Sequence, residues 1–299
     1  MTTKLDVVFI NADSSSAAYQ GLADKFAAIE PPTWSLLLAN SVRAVGHSAA
    51  IIDSTAERLT HQDSVQRILD LDPRLVVFVV YGQNPNSGTI NMVGNTECAA
   101  LLKEASPNTK ICFVGSHTSA LPHEVLAIPA IDIILLNEGV YALWNILASL
   151  KSDEITLRDI PGLVIRLEGA VLMNKAESVV PTARMDQDLP GYAWDLLPFE
   201  DSPLDLYRSP LWHAEYNESK RSPYAAIQSS LGCNFGCAFC MINIINRNDE
   251  QEIGVASDYS KMRFWSPEFM IKQFDILTNF GVQTIRIVDE MFLLNRKYY

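Results

Sequence analysis

Five short apolar runs rich in β-branched residues, each followed by a helical stretch, occupy the first 150 residues and restrict the fold more than any other feature. "LDVVFI" (5–10), "SAAIIDS" (48–54), "RLVVFVVYG" (74–82), "KICFVGS" (110–116) and "IDIILLNEG" (131–139) read as strands. Residues 33–46, 61–73, 96–108, 121–128 and 140–150 carry helical patterns, with Gly46 and Pro73 as terminators. The strand runs are apolar throughout rather than alternating, as burial on both faces of a parallel sheet demands. The predicted fold class is α/β, beginning with a doubly wound, flavodoxin-like (Rossmann-like) domain.

The organisation then changes. "GLVIRLEGAVLMNK" (162–175) reads as a β-hairpin turning at Glu168-Gly169. Prolines at 181, 190, 198, 203, 210 and 223 mark 176–224 as extended chain. Trp194, Leu196, Leu197 and Trp212 predict that this segment packs against something. A second α/β region opens with the strand "YAAIQSS" (224–230). It continues through a helix over 266–281, with Ser266 as N-cap, Pro267 in the first turn and Gly281 as terminator, and a strand over 282–292. The expected division is a domain over 1–150, a hairpin and linker over 151–223, and a second domain over 224–299.

Composition excludes several classes of function. A net charge of −12 and a pI near 4.8 leave no basic surface for nucleic acid. No apolar run approaches the roughly 18 residues of a membrane helix. The N-terminus carries no basic leader followed by an apolar core, so a cytoplasmic location is expected. Five cysteines, an odd number in a chain of 299 residues, do not read as a disulfide framework.

Three of those five fall within eight positions, Cys233, Cys237 and Cys240, in "SLGCNFGCAFC" directly after the strand at 224. A structural zinc site takes four ligands, usually as two separated pairs, and Cys98, Cys112 and His213 lie well outside this loop. A disulfide would leave one thiol over. One short loop can supply three thiolates to a [4Fe–4S] cluster, leaving one iron open. The spacing C-x3-C-x2-C favours iron–sulfur, with zinc as the alternative.

The same spacing, with Phe239 just before the last cysteine, resembles the signature of the radical S-adenosylmethionine superfamily. The resemblance implies that the open iron binds S-adenosylmethionine and that one electron cleaves it to methionine and a 5′-deoxyadenosyl radical. Phe239 would then lie near the adenine. "IRIVDEMFLLNRKYY" (285–299) is similar to the second barrel strand of one branch, in which Asp289 and Glu290 would position the methionine moiety. A reductant such as flavodoxin or ferredoxin is implied as a partner.

The N-terminal half carries a second resemblance. "PPTWSLLLANSVRAVGHSAAIIDS", "KICFVGSHTSALPHEVL" and "IDIILLNEGVYALWNIL" are similar in order and spacing to the cobalamin-binding domain of cobalamin-dependent radical enzymes. The implied contacts lie in loops after the third, fourth and fifth strands: Gly82 and Gln83, then Gly115, Ser116 and His117, then Glu138 and Gly139. The D-x-H-x-x-G pattern that supplies an axial histidine in many cobalamin proteins is absent, the first loop reading "NADSSSAAY". His117 is therefore expected to be a hydrogen-bonding loop residue. Cys98 and Cys112 read as core residues, and His47, His61 and His123 as structural. Methylthiotransferases of the superfamily place three further cysteines in this half, where this chain has two.

The superfamily's barrel has six βα units, and the residues from Tyr224 onward suffice for about two units of roughly 30 residues and the start of a third. A barrel broken off early is expected. The implied activity is C-methylation, in which the substrate radical takes its methyl group from methylcobalamin; the same cofactors also serve cyclisations and rearrangements. The other expectations are a cobalamin-binding module without activity, or a subunit whose partner chain completes the barrel. The substrate is expected to be a small molecule or biosynthetic intermediate.

Overall fold

The computed structural model describes residues 4–20, 28–82, 88–151, 156–167, 169–208, 223–235, 237–240 and 261–299. Strands β1 (Val7–Asn11), β2 (Ala49–Asp53), β3 (Leu75–Val79), β4 (Ile111–Val114), β5 (Ile133–Leu135), β6 (Leu163–Leu167) and β7 (Ala170–Met173) form one sheet in the order β2-β1-β3-β4-β5-β6-β7. The first five are parallel, with Val7 facing Ala49 on one side and Leu75 on the other. The hairpin at 162–175 forms as expected and then extends this sheet, β6 pairing antiparallel with β5 (Ile133 opposite Ile165). It thus belongs to the first sheet rather than to the connecting segment.

Period-two geometry divides the strand residues between two cores. Val7, Phe9, Leu75, Val77, Cys112 and Val114 face one side, and Val8, Ile10, Val76, Phe78, Ile111 and Phe113 the other. The second face is covered by α2 (His61–Leu71) through Val65 and Ile68, and by α3 (Gly88–Ala105) through Cys98, Ala99 and Leu102. The first is covered by α1 (Thr33–Ala44) and α4 (Val140–Ser149). Helix α3 starts eight residues earlier than the periodicity from Thr96 indicates. Gly88 and Gly94 are poor helix formers, but a Cβ at Gly94 would lie 2.0 Å from the Asp13 carbonyl oxygen, so tertiary packing sets the residue there.

The proline-rich segment packs, as its aromatics indicate. Tyr207 is fully buried and donates to Asp53 at 2.9 Å, Tyr192 stacks on Trp194, and the Ala193 amide donates to Leu36. Trp212 and His213 lie outside the described residues. Beyond this segment come β8 (Tyr224–Ile227), β9 (Ser230–Leu231), β10 (Arg263–Phe264), α5 (Pro267–Asn279) and β11 (Thr284–Ile287). β8 and β11 are parallel and adjacent, with α5 in the crossover. β10 was not signalled by the sequence; it pairs antiparallel with β9, Arg263 opposite Leu231. In α5, Ser266 Oγ accepts from the Phe269 amide at 3.1 Å, and Gly281 at φ +80° takes the left-handed turn that ends the helix. Residues 224–227 and Trp265 join the same hydrophobic core as α1 and the first face of the large sheet.

Candidate functional site

Strand order places the first candidate site. β1 connects to β2 on one side while β3 lies on the other, so the order reverses between β1 and β3. Open α/β sheets bind ligands outside the carboxyl ends of their strands at such a point. A cavity of about 340 Å³ lies there, lined by the 11–15 turn after β1, by Val79, Tyr81 and Gly82 after β3, by Trp34 and Ser35 at the start of α1, and by Arg286 from β11.

Its walls are built from short polar residues that must hold irregular backbone. Asp13 accepts from the Ser15 amide and hydroxyl (3.0 and 2.9 Å) and from Thr55 Oγ1 (3.3 Å). Asn95 accepts from the Ala12 amide, Ser14 Oγ accepts from the Gly94 amide, and Asn91 donates to the Tyr81 carbonyl. The turn after β1 is thereby fastened to α3. Trp34 and Tyr81 stack with ring centroids 4.4 Å apart, and Tyr81 Oη donates to the Asn137 carbonyl at 2.6 Å. Ser35 is fully buried and its hydroxyl has no partner among the described residues. Arg286 meets Glu30 at 2.6 Å; burial raises the Glu30 carboxyl above its ordinary range, and Arg286 works against that. Beneath the cavity, burial pushes Asp53 to about 6 despite bonds from Asn11 and Tyr207.

Of the strand-end residues named from sequence, Gly82 lines this cavity and Gln83 lies outside the described residues. Gly115 and Ser116 press against the end of β3 and the start of α3. A Cβ on Gly115 would stand 2.2 Å from the Val80 carbonyl oxygen, and one on Gly88 2.6 Å from Ser116 Oγ. His117 Nδ1 lies 3.0 Å from Thr89 Oγ1, and burial holds its pKa below the usual imidazole value. Gly139 takes a left-handed conformation at φ +69° ahead of α4. Glu138 is buried and is not among the cavity residues. Its carboxylate pairs with both terminal nitrogens of Arg263 (2.5 and 3.0 Å) and accepts from the Val180 amide. Beside it, burial and the Glu138 charge push Glu177 up to about 9.

The second candidate site is the cysteine loop. Cys233 follows β9 by one glycine; Cys237 is exposed, and the Cys240 amide donates to the Cys237 carbonyl at 3.0 Å. Phe239 is 80% exposed. Among the described residues no group of three or more His, Cys, Asp or Glu side chains is arranged to hold a metal ion. The three thiols share one turn of chain without being drawn together. Cys98 and Cys112 are buried, and burial raises both thiols, Cys98 to about 12. Asp289 and Glu290 follow β11, which brings them beside the root of the loop. Asp289 accepts from the Ser229 amide (2.6 Å), Ser229 Oγ (2.5 Å) and Ser230 Oγ (2.8 Å). Burial pushes Glu290 to about 7, and its Oε2 is buried without a partner among the described residues.

The turn after β1, Trp34 and Ser35 were missed from sequence. The strand order that locates them rests on pairings between residues more than 40 positions apart. Asn, Asp and Ser in succession after an apolar strand were the available signal.

Comparison with known proteins agrees with this geometry. Residues 19–147 match the family described as the B12 binding domain. An uncharacterized methyltransferase of Pyrococcus horikoshii, PH0819, is 26% identical over 269 residues, covering 89% of this chain and 50% of the relative. The chain therefore spans about half the length of that relative. Two solved structures share the fold. One is the cobalamin-dependent S-adenosylmethionine radical enzyme OxsB, with aqua-cobalamin and S-adenosylmethionine bound (TM-score 0.67, 19% identity, 97% of this chain and 34% of that one). The other is the radical S-adenosylmethionine methyltransferase TsrM of Kitasatospora setae, with cobalamin and a [4Fe-4S] cluster bound (TM-score 0.64, 14% identity, 98% and 50%). No helix among the described residues is long and apolar enough to cross a membrane. The chain has an α/β fold with a mainly parallel sheet, a Rossmann-like domain of the B12-binding kind over residues 19–147, and a fold shared with the parts of OxsB and TsrM that it covers.

Proposed function

We propose that this chain carries the cobalamin-binding domain and the cluster-bearing start of the barrel of a radical S-adenosylmethionine enzyme, most simply a C-methyltransferase. The observation that carries the reading is the placement of the C-x3-C-x2-C loop. It follows β9, just beyond the parallel strand β8, which packs in the same core as β1, β3 and the α1 helix that walls the switch-point cavity.

The residues suit the groups proposed for them. Trp34, Tyr81 and Ser35 offer an aromatic wall and a hydroxyl without a partner among the described residues, fitting for part of cobalamin, and Gly82, Gly115, Ser116, His117 and Gly139 lie on the neighbouring strand ends, with Gln83 proposed beside Gly82 from sequence. Glu138, paired with Arg263, serves the join between the two sites instead. Cys233, Cys237 and Cys240 are three soft donors on one accessible loop, the set an iron–sulfur cluster takes. When bound, cobalamin supplies a methyl carrier, and a [4Fe–4S] cluster supplies the electron that cleaves S-adenosylmethionine. Phe239 presents a free ring for the adenine. The Glu290 oxygen that has no partner among the described residues would accept from the ammonium of the methionine moiety, whose positive charge would favour the ionised carboxylate against the burial that raises its pKa. A second domain over 224–299, a cytoplasmic location and a flavodoxin or ferredoxin reductant belong to the same proposal.

The test is anaerobic reconstitution with iron, sulfide and hydroxocobalamin, followed by S-adenosylmethionine and a chemical reductant. Formation of 5′-deoxyadenosine with corrin retained supports the enzyme reading, and methyl transfer to an added substrate distinguishes methylation from cyclisation. A second reading is favoured by β11, which has β8 as its only strand neighbour among the described residues and alternates exposed with half-buried positions. In it the chain binds cobalamin and needs further strands, from a partner chain, before it turns over. Corrin retention without 5′-deoxyadenosine favours that second reading, and retention of neither refutes both.

A further inference from the structure

We propose that Asp289 is a positioning residue that fixes the root of the cysteine loop and does not itself contact S-adenosylmethionine. The inference rests on the reading of Cys233, Cys237 and Cys240 as cluster ligands and assigns a different task to each of two adjacent carboxylates.

The parallel ladder between β8 and β11 runs to its last bond, from the Val288 amide to the Ile227 carbonyl at 2.8 Å, and Asp289 is the next residue. Its side chain therefore emerges opposite Ser229, where β8 has ended and the loop begins. Both oxygens are engaged: Oδ1 accepts from the Ser229 amide at 2.6 Å, and Oδ2 from the hydroxyls of Ser229 and Ser230 at 2.5 and 2.8 Å. Hydroxyl and amide bonds to a carboxylate at these lengths are of the short, charge-assisted kind. Ser229 is approached from its other side as well: its carbonyl accepts from the Trp265 amide at 3.4 Å and lies 3.3 Å from Tyr298 Oη, whose shorter bond, 2.8 Å, goes to the Trp265 carbonyl. Ser230 and Leu231 then pair with β10, and Gly232 at φ +84° turns the chain into Cys233. The segment from Ser229 to Cys233 is thus clamped, while Cys237 and Phe239 beyond it are exposed.

Glu290 differs at each point. Among the described residues it has no such bonds to the loop root, and one buried oxygen has no partner. A carboxylate accepting three hydrogen bonds has one of its roughly four acceptor positions left and is held in place by the other three, whereas one with an idle oxygen is freer to turn to a ligand's ammonium. The carboxylate that acts through the loop is Asp289.

The experiment compares wild type, Asp289→Ala and the Ser229→Ala/Ser230→Ala pair by three readouts. Amide hydrogen exchange over 229–235 in the metal-free protein reads the clamp without any cluster. Iron content and the electron paramagnetic resonance spectrum of the reduced, reconstituted protein read the cluster. Equilibrium binding of S-adenosylmethionine, normalised to iron, reads ligand contact. Both variants are expected to exchange about tenfold faster or more in that segment. They should also retain less iron and show an altered cluster signal, with affinity per loaded cluster within about twofold of wild type. Should Asp289→Ala fail to fold, the serine pair reads the same contacts. The inference is overturned if exchange and cluster signal stay at wild type while S-adenosylmethionine affinity falls about tenfold, or if none of the three changes. Wild-type protein that takes up no iron refutes the proposed function, and the exchange comparison still decides whether Asp289 clamps Ser229.

Discussion

Removing the Arg263 guanidinium should destabilise the fold strongly, because it leaves a buried carboxylate without its cation. Arg263 lies on β10, opposite Leu231 and two residues short of Cys233, and pairs through both terminal nitrogens with Glu138 after β5. The side chains are 5% and 4% exposed. Its Nη1 also donates to the Val180 carbonyl at 3.0 Å, while Glu138 accepts from the Val180 amide at 3.2 Å. Arg263→Met leaves Glu138 buried without its cation and raises the burden on Glu290, whose carboxyl feels both groups. Breaking a buried pair from one side costs about 3–5 kcal/mol. At roughly 2–4 °C per kcal/mol for a chain of this order of size, the melting temperature falls by roughly 6–20 °C. Glu138→Gln keeps an acceptor for the Val180 amide and should cost less. Urea unfolding of wild type, both single variants and the double variant closes the cycle. The double variant should be less destabilised than the two singles together, by about 1–3 kcal/mol. Additivity within about 0.5 kcal/mol would mean that the two groups do not act as a pair, and the join between the strand-end loop and the cysteine loop would need another explanation.

Three further outcomes follow from the same geometry. Glu177 and Glu290 are raised by burial to about 9 and about 7, so the folded state holds protons that the unfolded chain releases. Stability from these groups is present near the ordinary carboxylate range and lost as pH rises through 7 and 9; Glu177→Gln should flatten the upper part of that decline in urea unfolding, and an unchanged slope would contradict the assignment. Gly94→Ala sets a Cβ 2.0 Å from the Asp13 carbonyl, so it should cost about 1–3 kcal/mol in unfolding and weaken hydroxocobalamin binding together. Trp34→Ala removes the ring stacked on Tyr81 and should weaken hydroxocobalamin affinity about tenfold in an absorbance titration, with equal affinity ruling out the cavity as its site.

Much of the fold was legible because its signals are local. Five apolar runs gave five parallel strands, and Ser266, Pro267 and Gly281 bounded a helix that forms between them. What was missed depends on long-range pairing. The hairpin at 162–175 is a local pattern, but its addition to the edge of the first sheet is decided by Ile133 meeting Ile165. β10 has two residues, too few for a periodic signal, and exists because Arg263 and Phe264 lie against Leu231 and Ser230. The site shows the same division. The cysteine spacing announces its chemistry within eight positions, and Asp289-Glu290 stands out as an acidic pair at a strand exit. Nothing near Asp289 in sequence indicates Ser229, 60 residues earlier, and nothing near Glu138 indicates Arg263, 125 residues later. Loop position alone pointed to Glu138 as a cofactor contact, and its buried pairing with Arg263 emerges only in the fold.

The central claim is that Cys233, Cys237 and Cys240 hold an iron–sulfur cluster beside a cobalamin-binding domain. It is tested most directly by iron, sulfide and zinc content, with the absorbance spectrum, of anaerobically reconstituted wild type and of a variant with all three changed to Ala. About four irons and four sulfides per chain in wild type, absent from the variant while hydroxocobalamin is retained by both, is the expected result. Zinc in place of iron, or iron that persists in the variant, would contradict it.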